Sequence, residues 1–327
     1  MVAFVLRRIL HAVVLVAITV TLTFLVLHII PGDPLARYVE PGTSPADLAR
    51  LRVALGLDRP LHLQYLDWVR RAATGDFGNS LLHQRPVRDL LSETIPRTLL
   101  LTALALCVQI ALGIAAGALA ARHRFRRVDE IVSATTALFY SIPPFYLGYL
   151  LITAFAVSHT WFPTAGMSTA GIDVRGPAVW GDHARHLVLP VFVLGVAGAA
   201  GFARFVRGSL IDALAEDYAR TARAKGLAES LVLWRHAFRN ALPVLVTVAG
   251  LSTPFLLGGA VVVESVFAWP GLGSLMVEAV GARDYPTVLA INMLGATLVI
   301  AGSFAADLAM IYIDPRLSRP SGRAPQK

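Results

Sequence analysis

The sequence predicts an all-α membrane protein with six transmembrane helices and an extracytoplasmic helical insert, on three observations. Of 327 residues, 56% are hydrophobic and 15% charged, with a mean hydropathy of +0.63, which is too apolar for a soluble globular chain. Apolar stretches long enough to cross a hydrocarbon core recur between shorter polar segments. Arginines collect in alternate polar segments, as positive-inside topology requires. The formal charge of +8 would direct a soluble protein towards nucleic acid. Here the cations lie beside apolar spans, so topology accounts for them and no nucleic-acid partner is expected. The single cysteine, Cys107, sits in an apolar run; it permits no intrachain disulfide and reads as a small core residue.

Residues 1–30 form the first transmembrane helix. Arg7 and Arg8 precede a run of 22 residues, Ile9 to Ile30, without Asp, Glu, Lys or Arg; at ~1.5 Å per residue it spans a core about 30 Å thick. The run exceeds a signal-peptide core and Pro31-Gly-Asp-Pro34 offers no small-residue cleavage site, so a cleaved signal is the lesser alternative. The arginine pair places the N-terminus in the cytoplasm.

Residues 31–96 are a polar insert in which eight Arg balance eight Asp and Glu. Ser44-Pro45-Ala46-Asp47 is a capping sequence, and Leu48, Leu51 and Leu55 share one face of the helix that follows, before Gly56. Asp58-Arg59-Pro60 opens a second helix with Leu61, Tyr65 and Trp68 on one face and Gly75 as its stop. Two small amphipathic helices are therefore expected to pack on each other or on the bundle.

Residues 97–313 hold five more spans. Thr98 to Ala121 returns to a loop bearing Arg122, Arg124, Arg126 and Arg127; Ile131 to Ser158 goes out, interrupted by Pro143-Pro144, which must kink or break it. The loop 159–185 is outer, and His186 to Phe205 comes back to Arg204 and Arg207. Leu242 to Val263 rises again with Gly250, Ser252, Thr253, Pro254, Gly258 and Gly259; such small residues and a proline suit either a pathway-lining helix or dense packing. Gly250, Ser252, Thr253, Gly258 and Glu264 are the candidate pathway residues. Residues 264–285 form an outer hairpin, Thr287 to Ile313 the last span, and 314–327 a cytoplasmic tail.

Between the fourth and fifth spans lies the loop 209–241, and overlapping it a charged island, Glu216 to Pro243. Tyr218, Ala222, Leu227 and Leu231 fall near helical spacing, interleaved with Arg220, Arg223, Lys225, Arg235 and Arg239, so one face is apolar and the other cationic. Gly226 stands where one helix ends and another begins. A short helix, a glycine turn and another helix, offered to a cytosolic partner, is the expectation. An ordinary basic juxtamembrane helix attracted to anionic lipid is the alternative.

The run Tyr218-Ala-Arg-Thr-Ala-Arg-Ala-Lys-Gly226 with Arg235-His-Ala-Phe-Arg-Asn-Ala-Leu-Pro243 resembles the cytoplasmic EAA coupling loop of ABC importer permeases, and more narrowly the B-type subunit of the dipeptide/oligopeptide/nickel importers. Arg220, Thr221, Ala222 and Gly226 hold the places of the generic Glu-Ala-Ala and Gly. The glutamate is missing, so its contact cannot be assigned to Arg220. Leu55-Gly-Leu-Asp-Arg-Pro60, Gly75-Asp-Phe-Gly-Asn-Ser80, Phe267-Ala-Trp-Pro-Gly-Leu-Gly273 and Arg283-Asp-Tyr-Pro286 extend the resemblance along nearly the whole chain.

The resemblance implies a type I importer permease in the cytoplasmic (inner) membrane, with both termini inside. It also implies a C-type permease partner, two cytosolic ATPases and an extracytoplasmic substrate-binding protein. Coupling falls to Tyr218, Arg220, Thr221, Ala222, Arg223, Lys225, Gly226, Leu227 and Arg235, with Tyr218, Ala222 and Leu227 entering the ATPase groove. Peptides are the implied cargo; nickel chelates or oligosaccharides are the alternatives within the same complex type. ATP and Mg belong to the partner ATPases, and no cofactor is expected on this chain.

No catalytic motif emerges from the residues themselves. The lysines are Lys225 and Lys327, neither in a phosphate-binding loop, so ATP hydrolysis is not expected here. His183 and His186 lack a third ligand, and no metal site is expected. Asp307, inside the last span, is a candidate for a structural role near a helix end. A stand-alone secondary transporter would require internal repeats and ion-coupling residues, and an intramembrane enzyme a facing nucleophile and base; neither pattern is found.

Overall fold

Backbone groups find no water inside a bilayer, so the apolar runs must close their hydrogen bonds internally as helices. The computed structural model describes residues 2–30, 32, 33, 35, 44–169, 171 and 177–313; apart from an isolated bridge between Asn79 and Pro86, regular structure among them is helical. The chain divides into two compact units, Met1–Thr98 with Pro270–Ile300, and Leu99–Trp269 with Ala301–Lys327.

The first unit contains α1 (Val2–Ile29), α2 (Pro45–Ala54), α3 (Leu61–Ala72), the start of α4 (Val87–Arg122), α11 (Leu272–Gly281) and most of α12 (Tyr285–Ile313). Ser44 caps α2 as its sequence dictates, its Oγ accepting from the Ala46 N–H at 3.2 Å. Yet α2 buries no residue fully: Leu48 and Leu51 are half-buried and Leu55 is exposed. On α3 the inward residues are Trp68 and Ala72, whereas Leu61 points outward. Trp68 and Ala72 pack with Val20, Phe24 and Leu27 of α1, Ala279 of α11 and Val288 and Leu289 of α12.

Helix α4 starts eleven residues before Thr98, inside the segment read as insert. Its first turns are amphipathic, with Val87, Leu90 and Leu91 buried against Leu272, Leu275 and Ile291. Arg88, Asp89, Ser92 and Glu93 hide that stretch from a hydropathy reading. Two polar contacts lock the unit. The Thr98 hydroxyl accepts from the Leu272 N–H at 2.8 Å, satisfying an orphan donor at the start of α11. Asp284, fully buried, accepts from the hydroxyls of Ser80 and Thr287 and stands at the N-terminus of α12.

The second unit holds the rest of α4, then α5 (Arg127–Ser141), α6 (Pro144–Leu151) prolonged by a π-helical stretch Ile152–Ser158, and α7 (Pro177–Ala215). It continues with α8 (Asp217–Ala224), α9 (Glu229–Leu231), a second π-helical stretch Val232–Ala237 and α10 (Phe238–Val266). Pro143-Pro144 breaks the second of the five spans as expected: α5 and the Pro144–Ser158 helix meet at 98°. Helix α7 is the centre, burying Val193, Leu194, Phe202, Val206 and Leu210 in two apolar clusters.

Glycines let α4 and α7 approach closely. A Cβ on Gly117 would stand 2.6 Å from the Ala203 carbonyl oxygen, and one on Gly195 2.7 Å from a Val108 methyl group; small-residue approach of this kind is how membrane helices gain contact without a hydrophobic driving force. Cys107 is exposed on α4 rather than in the core. At the α5 end, Asp129 accepts two 2.7 Å bonds from the Arg207 guanidinium of α7 and a third, at 3.1 Å, from the Phe125 N–H.

Among the described residues, four helices are long and apolar enough to cross a membrane: Arg8–Ile29, Val87–Arg122, Ala178–Ala215 and Tyr285–Ala306. Two bent pairs qualify jointly, Arg127–Ser141 with Pro144–Ser158 and Glu229–Ser252 with Leu256–Val266, so six crossings follow when each bent pair crosses once. Residues 170, 172–176 and the tail 314–327 lie outside the described residues, as does the side chain of Asp307.

Candidate functional site

The charged island folds as a short helix, a glycine turn and a second helical rod. Glu216, extended at φ −69° and ψ 156°, ends the run of α7, and α8 starts at Asp217, whose charge favours a helix N-terminus. Gly226 takes φ +78°, the left-handed conformation that favours glycine. The Gly226 N–H donates to Arg223 O at 2.9 Å and the Leu227 N–H to Ala222 O at 3.3 Å. That pair of bonds is a Schellman cap, and its usual apolar contact is present between Leu227 and the cluster containing Ala222. The rod then restarts at Glu229 and passes through the π-helical stretch into α10.

Burial sorts the predicted coupling residues into two groups. Ala222, expected in a partner's groove, is buried within the chain with Ala219 and Val232, where it holds α8 against the rod. Tyr218 and Leu227 are half-buried against the same cluster. The Tyr218 hydroxyl bonds to the Asn240 side chain, and burial pushes its pKa above the ordinary tyrosine value while that bond opposes the shift. Arg223 also faces inward: its Nε donates to Glu229 at 2.7 Å and its Nη1 to Leu214 O at 3.2 Å, tying α8 to the rod and to the end of α7.

Arg220, Thr221, Lys225 and Arg235 are exposed. Arg220 bonds Asp217 at 3.2 Å on the open surface, a pairing of little energetic weight. Of the apolar stripe that helical spacing marked, Leu231 alone is exposed beside these cations. Leu231 is exposed, and beside it stands Trp234, 49% exposed and its ring 5.2 Å from that of Phe238. Ser230, Leu231, Trp234 and Arg235 line one shallow depression. A lone tryptophan between a charged run and an apolar span was the available signal for it.

The candidate pathway residues do not share an environment. Gly250 lies against Ala306, and Glu264 is fully buried. Ser252 is half-buried and its hydroxyl bonds back to Val248 O at 3.0 Å. Gly258 is exposed with open space where a side chain would stand. The side chain of Thr253 lies outside the described residues. His186 is buried and its Nδ1 stands 2.8 Å from Asp182 O; among the described residues no three His, Cys, Asp or Glu side chains form a metal-holding group.

Residues 113–319 match the family described as binding-protein-dependent transport system inner membrane component, and residues 1–102 match the N-terminal family of the same transport-system membrane components. The chain is 38% identical over 319 residues to the oligopeptide transport system permease protein AppB of Bacillus subtilis (strain 168), covering 97% of this chain and 99% of that protein. It is 39% identical over 317 residues to the glutathione transport system permease protein GsiC of Escherichia coli (strain K12), again with 97% and 99% covered. Among solved structures it resembles a chain of the MetNI methionine ABC transporter in an inward-facing conformation, with a TM-score of 0.56, 22% identity, and 68% of this chain and 96% of that chain covered. At that identity the likeness concerns the fold. With its membrane-length helices and a capped cationic loop between α7 and α10, this chain belongs to the family of binding-protein-dependent transport system inner membrane components, as a multi-pass permease subunit of an ABC importer.

Proposed function

We propose that this permease carries short peptides inward as one half of a two-permease pathway, driven by two cytosolic ATPases and fed by an extracytoplasmic binding protein. The observation that carries the reading is end-to-end similarity to two permeases whose cargoes are an oligopeptide and glutathione, itself a short peptide. Glu216 to Pro243 is the contact with an ATPase subunit. Leu231 and Trp234 supply its apolar anchor, while Arg220, Lys225 and Arg235 set its orientation by charge. Ala222, Arg223 and Gly226 hold the contact in shape from within. ATP and Mg act in the partner ATPases, whose closure is transmitted through α8 and the rod into α10. Both termini are cytoplasmic in this arrangement.

The test is transport by the complex purified on a tagged copy of this chain and reconstituted in liposomes. Recovery of a second permease and ATPases, with ATP-dependent accumulation of di- to pentapeptides, is the expected result. Accumulation of an oligosaccharide or a nickel chelate without any peptide would overturn the cargo. Purification of the chain alone after cross-linking would overturn the assembly.

A further inference from the structure

Helix α3 of the first unit contacts α1 well short of its end. The Tyr65 and Thr21 hydroxyls lie 2.7 Å apart, the ring centroids of Tyr65 and Phe24 lie 5.3 Å apart, and Trp68 and Ala72 share an apolar cluster with Val20, Phe24 and Leu27. The membrane-length run of α1 is Arg8–Ile29, so at ~1.5 Å per residue Thr21 stands about 12 Å along the helix from Ile29. Helix α12 gives a similar depth. Its run begins at Tyr285, and Val288, Leu289 and Met293 join the same cluster about 4.5 to 12 Å further along. Were these contacts outside the bilayer, α1 would keep only Arg8 to Thr19, about 18 Å, to cross a hydrocarbon core about 30 Å thick. Arg7 and Arg8 bar it from making up the difference at its other end. The contact of α3 with α1 therefore belongs at hydrocarbon depth, although the composition of residues 31–96 placed the whole segment outside the membrane.

The three sides of α3 suit that level. Tyr65, Trp68 and Ala72 pack against α1 and α12, and the Tyr65–Thr21 pair gives each hydroxyl a partner where no water reaches. Gln64, Asp67 and Arg71 border a cavity of about 730 Å³, so the polar side of the helix opens on a space wide enough for water. Leu63, Leu66 and Val69 are exposed, Leu66 at 58%. Such a row of apolar side chains on a helix in water is a liability. In hydrocarbon it is ordinary: α1 carries the same kind of surface, with Ile18, Leu22, Leu25 and Val26 48–56% exposed inside its membrane-length run. Arg70, next to Leu63 and Leu66 in helical spacing, has a stem long enough to carry its charge out to the headgroups.

We infer that α3 is set into one leaflet of the membrane rather than standing above it, with Leu63, Leu66 and Val69 against phospholipid acyl chains and Gln64, Asp67 and Arg71 turned to water in the cavity. The leaflet is the one at the Ile29 end of α1, which is the outer leaflet for the cytoplasmic N-terminus proposed above. The occupant of the open face is lipid, not a binding protein or a second permease. The inference rests on the chain being membrane-embedded and is independent of what it transports.

The experiment uses the full chain within its purified transporter complex, carrying Cys107→Ser and one added cysteine: Leu66→Cys, Val69→Cys or Arg71→Cys, with Leu22→Cys as the lipid reference and Arg50→Cys, on α2, as the water reference. All five positions are exposed, so the substitutions leave the apolar clusters intact, and elution of each complex at the wild-type volume shows that it is assembled. Each cysteine is labelled with bimane, and the complex is reconstituted in liposomes with or without phosphatidylcholine brominated on its acyl chains. Quenching by the brominated lipid and by aqueous iodide is then measured. Labels at positions 66 and 69 should be quenched by brominated lipid nearly as much as the label at position 22, and by iodide severalfold less than those at positions 50 and 71. Iodide quenching at 66 and 69 equal to that at 50 would overturn the inference by placing α3 in water. Quenching of these two labels by neither agent would overturn it as well, since protein would then cover the face. Lipid quenching at 71 equal to that at 66 would overturn the orientation assigned to the helix.

Discussion

Replacing Gly226 tests whether the shape of the α8 turn matters to transport. Nothing lies within 4 Å of a Cβ built at this position, so a larger residue meets no steric obstacle. Any effect of Gly226→Ala must then come from the backbone, held at φ +78°. The left-handed region costs a residue with a Cβ about 1–2 kcal/mol, and asparagine less. A penalty of that size shifts the equilibrium between capped and unravelled loop by roughly 5- to 30-fold. Gly226→Pro adds to this. Its φ is locked near −65°, and it lacks the N–H that donates to Arg223 O at 2.9 Å. The assay is ATP hydrolysis and peptide uptake by the reconstituted complex, with membrane insertion verified independently. Uptake per ATP should rank wild type, Asn, Ala, Pro, with insertion constant throughout. Equal coupling in the alanine and proline variants and the wild type would refute the argument that the turn transmits anything.

Four further outcomes follow from particular contacts. Asp129→Ala strips Arg207 of both its 2.7 Å bonds and should destabilise the second unit by about 1.5–3 kcal/mol, the scale of hydrogen bonds to charged groups; an unchanged thermal unfolding midpoint would contradict it. Asp284→Ala leaves the hydroxyls of Ser80 and Thr287 without their buried acceptor and should cost about 2 kcal/mol or more, read as faster proteolysis of the first unit. Trp234→Ala should weaken capture of the ATPase subunit by about 2 kcal/mol or more, whereas Leu61→Ala, exposed on α3, should not alter it. The raised pKa of Tyr218 means that the folded loop prefers the neutral phenol. Its contribution is thus complete below the ordinary tyrosine value of 10.0 and lost as pH climbs through the higher folded value. Tyr218→Phe should abolish that alkaline step in loop protection measured by hydrogen exchange, and its persistence would assign the step elsewhere.

Signals contained within one or two turns of chain were legible from the residues alone. Hydropathy marked the spans, because the cost of an unpaired backbone group in hydrocarbon leaves an apolar run no choice but helix. Ser44 and Gly226 announced a start and a stop because capping involves only the neighbouring two to four residues. Pro143-Pro144 announced a break, since a missing N–H and a ring clash are local. The family was also carried by short runs of residues.

What tertiary structure alone decided is which face of each helix turns inward. Spacing made Ala222 and Leu231 equivalent members of one apolar stripe, but the return of the rod against α8 buries Ala222 with Ala219 and leaves Leu231 and Trp234 outside. Asp129 and Arg207 stand 78 positions apart, and Ser80 and Asp284 204 apart. No local pattern pairs such groups, because the partner depends on how whole helices are set against each other. The same holds for Gly117 and Gly195, whose missing side chains matter only where another helix comes within contact distance. Sequence determines the helices, their caps and their breaks through short-range hydrogen bonding; packing decides which of their residues remain available to a partner.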